Sequence, residues 1–445
     1  MQSIDFRAGS SQDVIAGTTF GLLSSRDGGA TWHWYCDAAI GFAGPYDPDY
    51  AYTSTGSIFA TTFNGLNVSR DACTFNSGAL GTTFVSTDEL GSNGALHVGA
   101  ADPTDAKIHT SLDDGTTFPV SAAPGIANDW WDSLRVAPSD PQRLYLSGYR
   151  FTKQCNAAST NAGTACMMDT DCPGGACNSV RVFLLNTSAD DGTSFVPMTT
   201  TGIATSSNSV IDIVGVDPAM PTVVYAEVSL PMLSGGYDLY RSDDAGVSWT
   251  KILASNDAFG LAFVARHDGD IVAATTQSGS QVSHDRGATW MPLACAPRIH
   301  CLHETPTGQL WACTNNFTEP GQPSDGFAIM KTTDLVTWSG VLNLQAVLGP
   351  VDCAAGTVQH DTCAPMWATI ATQLGSGDAT PIPTCPIVVG DDSITALPDA
   401  GDVVTPPTAP SGGGGCCSAS GGHGTFVLAA FVLFVLGRSR RASAA

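Results

Sequence analysis

Two carboxylates stand at matching places in consecutive stretches of the chain, Asp132 in WDSLRVAP and Asp212 in IDIVGVDP. Glycoside hydrolysis needs little more than such a pair, one acting as acid and the other as base or nucleophile at a suitable separation. Just ahead of Asp132 lie Asp129, Trp130 and Trp131, and His300 falls at the equivalent place further on. Carboxylates beside aromatic rings are the combination that hydrogen-bonds to a sugar and stacks on it. Asp132 and Asp212 are therefore the candidate catalytic pair, and Asp129, Trp130, Trp131 and His300 the candidate ligand contacts. The same residues also fit a structural role, with the aspartates bonding backbone N–H groups and the tryptophans filling gaps between repeats.

Other chemistries find little support. His267, His300 and His303 are not spaced as a helical metal pair, and no P-loop, dinucleotide fingerprint or Gly-x-Ser-x-Gly elbow occurs in a plausible context. With 18 Lys+Arg against 41 Asp+Glu, the formal charge of -23 argues against nucleic acid, whose phosphates need a cationic face. No cofactor is expected from these residues, although the acidic surface could hold structural calcium.

The elements that must position these residues follow from a repeat. Ser25, Asp27, Gly29 and Trp32 form the phrase Ser-x-Asp-x-Gly-x-x-Trp. It recurs at Ser111, Asp113, Gly115 and Phe118; at Ser188, Asp190, Gly192 and Phe195; at Ser242, Asp244, Gly246 and Trp249; and at Ser283, Asp285, Gly287 and Trp290. Two shorter copies, around Asp71 and around Asp334 with Trp338, lack one residue and the glycine. Successive aspartates are 44, 42, 77, 54, 41 and 49 residues apart. The long gap contains a cysteine-rich insertion at 152–180, and without it every gap is close to the ~40–50 residues of a four-stranded propeller blade. The phrase reads as a hairpin turn between the two outer strands of a blade, closed by Asp and Ser/Thr oxygens on backbone N–H groups. Upstream, LRVAPSDPQRLYLSG and IVGVDPAMPTVVYAEV read as the inner two strands around an Asp-Pro turn. The fold class expected is all-β: a seven-bladed β-propeller over residues 1–350.

These phrases resemble the Asp-box, or BNR-repeat, propellers, a sialidase-like group that includes xyloglucan-cleaving glycoside hydrolases, sortilin-type receptors and photosystem assembly factors. The resemblance implies the fold and a structural role for the box, and it leaves function open among those activities. Sialidase chemistry would want an Arg-Ile-Pro phrase near the start, an arginine triad and a Tyr–Glu pair. The nearest match, Pro297 to His300, lies late and lacks the proline, and only Glu89, Glu227, Glu304 and Glu319 are available as glutamates.

Fourteen cysteines point to an oxidising compartment. Cys155, Cys166, Cys172 and Cys177 crowd a loop with few apolar residues, where two disulfides are expected and zinc knuckle spacing is absent. Cys353, Cys363 and Cys385 bracket a segment expected to form one helix on the last blade, within a tail at 351–386. A Pro/Gly/Ser/Thr-rich linker follows at 387–415, then a segment at 416–445 with Cys416, Cys417, an apolar helix at 426–436 and an Arg cluster. Eleven apolar residues reach only about 16 Å as a helix, short of the ~30 Å hydrocarbon core. The order Gly-Cys, apolar run, Arg cluster resembles MYXO-CTERM sorting tails. That resemblance implies export, a sorting protease and anchoring to the membrane near Cys416 or Cys417, although no secretory signal is visible at the start. The expected function is a non-catalytic binding or scaffolding module for a glycan or protein ligand, held at the cell surface, with a polysaccharide-cleaving glycoside hydrolase as the alternative.

Overall fold

In the computed structural model the described residues are 3–42, 48–101, 106–206, 209–230, 236–255, 261–275 and 279–381. They form seven four-stranded antiparallel sheets, each a meander in sequence order. The first strands of the sheets, Ser3–Phe6, Tyr50–Tyr52, Val85–Leu90, Trp130–Ala137, Ile211–Val216, Ala262–Ala265 and Cys301–Glu304, touch one another in a closed ring, with the last meeting the first. The result is a seven-bladed propeller whose first strands surround the central channel.

Each repeat phrase joins the third strand of its blade to the fourth. In blade one, Ser25 Oγ donates to Asp27 Oδ1 (2.8 Å) and accepts from the Gly29 N–H (2.9 Å). Asp27 then accepts from both the backbone and the hydroxyl of Thr31 (2.8 and 2.6 Å). The same bonds recur in the turns of Asp113, Asp190, Asp244 and Asp285. In these five turns two successive residues take positive φ, as at Arg286 (56°) and Gly287 (91°). The short copies hold one such residue each, Ala72 (59°) and Leu335 (62°), and their aspartates accept from N–H groups two and three residues on instead of four. One residue fewer thus removes the position that needed glycine.

The turn also sets how blades pack. A Cβ on Gly29 would come within 2.6 Å of Val341 and 2.9 Å of Trp311, both in blade seven. On Gly287 it would come within 2.5 Å of Ile252 in blade five. The glycine lets the turn lie flat against the preceding blade, and the Trp290 indole fixes it there by donating to the Ile252 carbonyl (2.8 Å).

Ring closure falls to the segment after blade seven. Trp34, on the outer strand of blade one, donates to the Gly349 carbonyl (2.8 Å) and accepts from Val351 N–H (3.0 Å), a parallel bridge that adds the tail to that blade. Disulfides Cys36–Cys363 and Cys73–Cys353 then tie the tail to blades one and two. The helix expected in the tail is α2 (Ala364–Gly375), following a short α1 (Asp37–Ile40) in blade one. It does not sit on the last blade alone. Trp367 packs on Trp34, in a cluster that also takes in Ile329 and Leu342 of blade seven, so α2 covers the joint between the first and last blades.

The insertion also differs from the loop expected. The second and third strands of blade four, Asp140–Cys155 and Cys177–Ser188, stay paired residue by residue to the Cys155–Cys177 position. They make a β-arm projecting from the blade, and Cys155–Cys172 and Cys166–Cys177 staple its tip. Alternation through Arg150, Thr152 and Gln154 was hidden by the polar composition of the tip. The linker, Cys416, Cys417 and the apolar segment 426–436 lie outside the described residues. Among the described residues no helix is long and apolar enough to cross a membrane.

Candidate functional site

Because every blade is a meander, the repeat turns and the first-to-second-strand turns share one end of the propeller. The second-to-third-strand turns and the connections between blades share the other, the connection face. A row of aromatic rings runs along that face. Phe63, in the turn at the end of Ile58–Thr62, stacks on Phe84 of blade three at 5.0 Å between centroids. Phe84 meets Trp130 of blade four at 5.0 Å, Trp130 stacks on Tyr149 at 6.4 Å, and Tyr149 meets Phe151 edge-on at 5.2 Å. Arg181, on the facing strand of the arm, lies over Tyr149 (4.2 Å) and Phe151 (5.5 Å). Phe84 and Tyr149 in the middle of the row are buried, Trp130 between them is half-buried, and the two ends are open, Phe63 at 38% and Phe151 at 55% exposure.

Local sequence accounts for this placement. Trp130 opens the first strand of blade four opposite Tyr149. The turn before it is held by Asp129, whose carboxylate accepts the Ile126 N–H (2.7 Å) and is clasped by Arg150 through two bonds of 2.6 Å. Asp129 is fully buried, so its charge is spent on fixing this corner. Trp131 points the other way, fully buried among Ile108, Leu134 and Leu146, and fills the space between blades three and four. Of the four expected ligand contacts, the open row contains Trp130 alone.

Asp132 is the extra residue of a β-bulge: Trp131 pairs with Gly148 and Ser133 with Ser147, leaving Asp132 unmatched. Bulges re-aim side chains and often lie beside sites. Asp212 pairs across its blade with Glu227. The next residues of the two strands meet, with Ile213 N–H donating to Ser133 Oγ (2.7 Å), which itself bonds Ser147 Oγ (2.6 Å). Asp132 and Asp212 therefore stand level on neighbouring first strands, as the alignment of their phrases expects. His300 is far round the ring in blade seven, bonded through Nε2 to Asn315 in a network with Gln322, next to the Cys301–Cys313 disulfide.

A second group of polar residues, unmarked in the sequence, lines the channel. Asp5, Asp49, Asp88 and Glu89 come from the first strands of blades one to three or the residue just before them. Burial, reinforced by Asp49 and Glu89, pushes the Asp5 carboxyl up to about 7. Burial raises Asp88 as well, with Asp49, Asp5 and Glu89 adding to it. Glu89 is raised by burial against the pull of Arg135, whose guanidinium lies 3.4 Å away. Among the described residues, the only group of three or more His, Cys, Asp or Glu side chains with ligand atoms within 4.8 Å of one another is Cys155, Cys166 and Cys172, all consumed by the arm's disulfides.

Sequence reasoning missed Phe63, Phe84, Tyr149, Phe151 and Arg181. Each is a lone aromatic or basic residue in its own repeat, and only the propeller's closure brings them into one row. Aligning all the first-strand entry points for rings would have found Phe84 with Trp130.

No protein-family model matches the chain, and no curated protein matches it. Among solved structures it is similar to an ancestral GH74 enzyme, at 12% identity over 70% of this chain and 43% of that one, with a TM-score of 0.46. It is similar to YCF48 from Cyanidioschyzon merolae, at 12% identity over 70% of this chain and 91% of that one, TM-score 0.43. It is also similar to the GH74 xyloglucanase from Xanthomonas campestris, at 11% identity over 76% of this chain and 73% of that one, TM-score 0.33. The chain spans under half the length of the ancestral GH74 enzyme. At such identities the likeness concerns the propeller fold alone.

Proposed function

We propose that the chain is an exported binding module, displayed at the cell surface, that takes a glycan along the aromatic row of its connection face. The observation that carries this reading is the row itself, five rings from Phe63 to Phe151 with both ends open. The open rings at the two ends offer flat apolar surface at little entropic cost, which suits the faces of sugar rings. The disulfides support export, since they persist where the surroundings are oxidising. Surface display rests on the resemblance of the tail at Cys416 and Cys417 to a sorting signal. Membership of the Asp-box propellers rests on the seven repeat turns and their shared hydrogen bonds.

A second reading, a polysaccharide-cleaving hydrolase, is favoured by the bulge at Asp132 and its level partner Asp212. Both readings are tested by incubating the full chain, produced in an oxidising compartment, with plant, bacterial and sialylated glycans, measuring retention and release of reducing ends. The binding reading expects retention without release. Release that vanishes in Asp132→Ala or Asp212→Ala would replace it with hydrolysis, and neither retention nor release with any glycan would overturn both.

A further inference from the structure

Arg181 is 9% exposed. Its guanidinium lies over the rings of Tyr149 and Phe151, and Nη1 donates to the Ser209 carbonyl. Among the described residues no aspartate or glutamate pairs with it, its Nε is enclosed without an acceptor, and Nη2, which is not enclosed, donates to nothing. A buried cation in that condition is costly, and stacking on rings offsets only part of the cost. Acids are not scarce, at 41 Asp+Glu against 18 Lys+Arg. Arg266, buried to 6%, holds Glu304 (3.1 Å) and Asp268 (2.8 Å), and Arg286 and Arg298 each hold an aspartate at 2.6 Å. The acid at the corner of blade four, Asp129, is committed to Arg150.

Strand pairing shows what surrounds Arg181. It stands opposite Phe151, and Lys153 stands opposite Ser179, so Tyr149, Phe151, Lys153 and Arg181 share one face of the arm. Lys153 is exposed and reaches the Met167 carbonyl at 3.4 Å. The acids of the arm's tip are already used: Asp169 accepts from the Cys177 N–H, and Asp171 from those of Met167 and Met168. The face beside the open ring of Phe151 thus presents two cations and no carboxylate, in a chain that is acidic elsewhere.

We infer that the arm end of the aromatic row takes a uronic acid residue of an otherwise neutral glycan, its ring on Phe151 and its carboxylate received by Arg181 with Lys153 beside it. The inference rests on the reading of the row as a glycan site and names the class of glycan. Arginine presents a planar fork that matches a carboxylate, and bonds to a charged acceptor are roughly twice as strong as those to a neutral one. A sugar hydroxyl in the same place would leave the cation uncompensated. The remaining surface limits how acidic the whole ligand is. Screening confines each charge to about 8 Å at physiological salt. The two arm cations therefore govern the sugar next to them, while the formal charge of -23 disfavours a polymer that is acidic at every residue.

The experiment measures affinity of the full chain for glucuronic-acid-bearing xylan and for xanthan, each beside the same polymer with its carboxyl groups reduced to alcohols. Wild type is expected to bind the acidic form of at least one of them about tenfold more tightly than the reduced form. Arg181→Gln brings the acidic form down to the level of the reduced form and leaves the reduced form unchanged, whereas a purely structural arginine would weaken both alike. If Arg181→Gln melts far below wild type, Arg181→Lys replaces it, keeping the charge without the fork, and the preference should shrink to about threefold or less. Lys153→Ser, at an exposed position, should reduce the preference by about two- to threefold. Equal binding of acidic and reduced forms, or binding of neither, overturns the inference, as does a preference that survives Arg181→Gln. The reading of the row is judged separately by Phe151→Ala: equal binding of both forms that this variant weakens keeps the row and removes the uronic acid, and binding that it leaves intact removes both.

Discussion

Aspartate is used in opposite ways at the outer turns of the blades and in the channel wall. At the turns the carboxylate is exposed and surrounded by donors: the Thr31 hydroxyl and N–H hold Asp27 down to about 2, and Thr289 does the same for Asp285. In the channel wall Asp88 is buried and Asp5, Asp49 and Glu89 are half-buried, close enough to one another that desolvation and mutual repulsion push Asp5 up to about 7. The turns spend their charge locally and repeat seven times, so they are structural. Channel residues Asp5 and Asp88 occur once each, which marks that wall as the part of the frame free to do something specific.

Both regions depend on a closed ring, so the severest way to disturb the comparison is to open it. Replacing Cys73 and Cys353 by serine removes a tie spanning 280 residues and is expected to cost about 2–5 kcal/mol. A melting scan reads this as a large fall, and an unchanged midpoint would mean that the backbone bridge at Trp34 and the Cys36–Cys363 tie close the ring unaided.

The next test uses pH, where the two regions act with opposite sign. A carboxyl raised in the folded state contributes stability below its ordinary value, and that contribution is lost as pH rises through the folded value. For Asp5 the loss spans the interval from about 4 to about 7. The turn aspartates are lowered, so their contribution is present above the ordinary carboxylate value and disappears as pH falls through about 2. The chain should therefore lose melting temperature between about pH 4 and pH 7, and Asp5→Asn should flatten that slope. A slope unchanged by Asp5→Asn would remove Asp5 as its source.

A smaller effect sharpens the contrast at the turns. Asp285→Ala leaves the Thr289 N–H and hydroxyl without their acceptor and should lower the melting temperature by a few degrees at neutral pH. In Asp334→Ala, at a short turn whose aspartate accepts from the Val336 and Thr337 N–H groups and the Thr332 hydroxyl, the fall should be less. Equal falls would show that the extra hydroxyl bond of the full turn adds nothing.

Most of the frame was legible in the sequence because the repeat turn is a local device. Its aspartate, hydroxyl and glycine satisfy one another within a few residues, so spacing alone counted the blades. The level placement of Asp132 and Asp212 was legible for the same reason, being a property of matching phrases. What depends on closure was not. Trp130 and Trp131 are neighbours in sequence, yet strand alternation sends one to the open row and the other into the core. Phe63 and Phe151 are 88 residues apart, and nothing local pairs them. Asp88 reads as an ordinary strand residue until blades one and two bring Asp5 and Asp49 beside it.

The central claim is that the aromatic row is where the ligand sits, and affinity electrophoresis of wild type beside Phe151→Ala and Phe63→Ala, in gels holding each glycan, tests it most directly. Retardation by a glycan should weaken roughly three- to tenfold in each variant, the loss of one stacking partner, while Asp285→Ala retains it. Retardation that both phenylalanine variants preserve would contradict the account and move the ligand off the row.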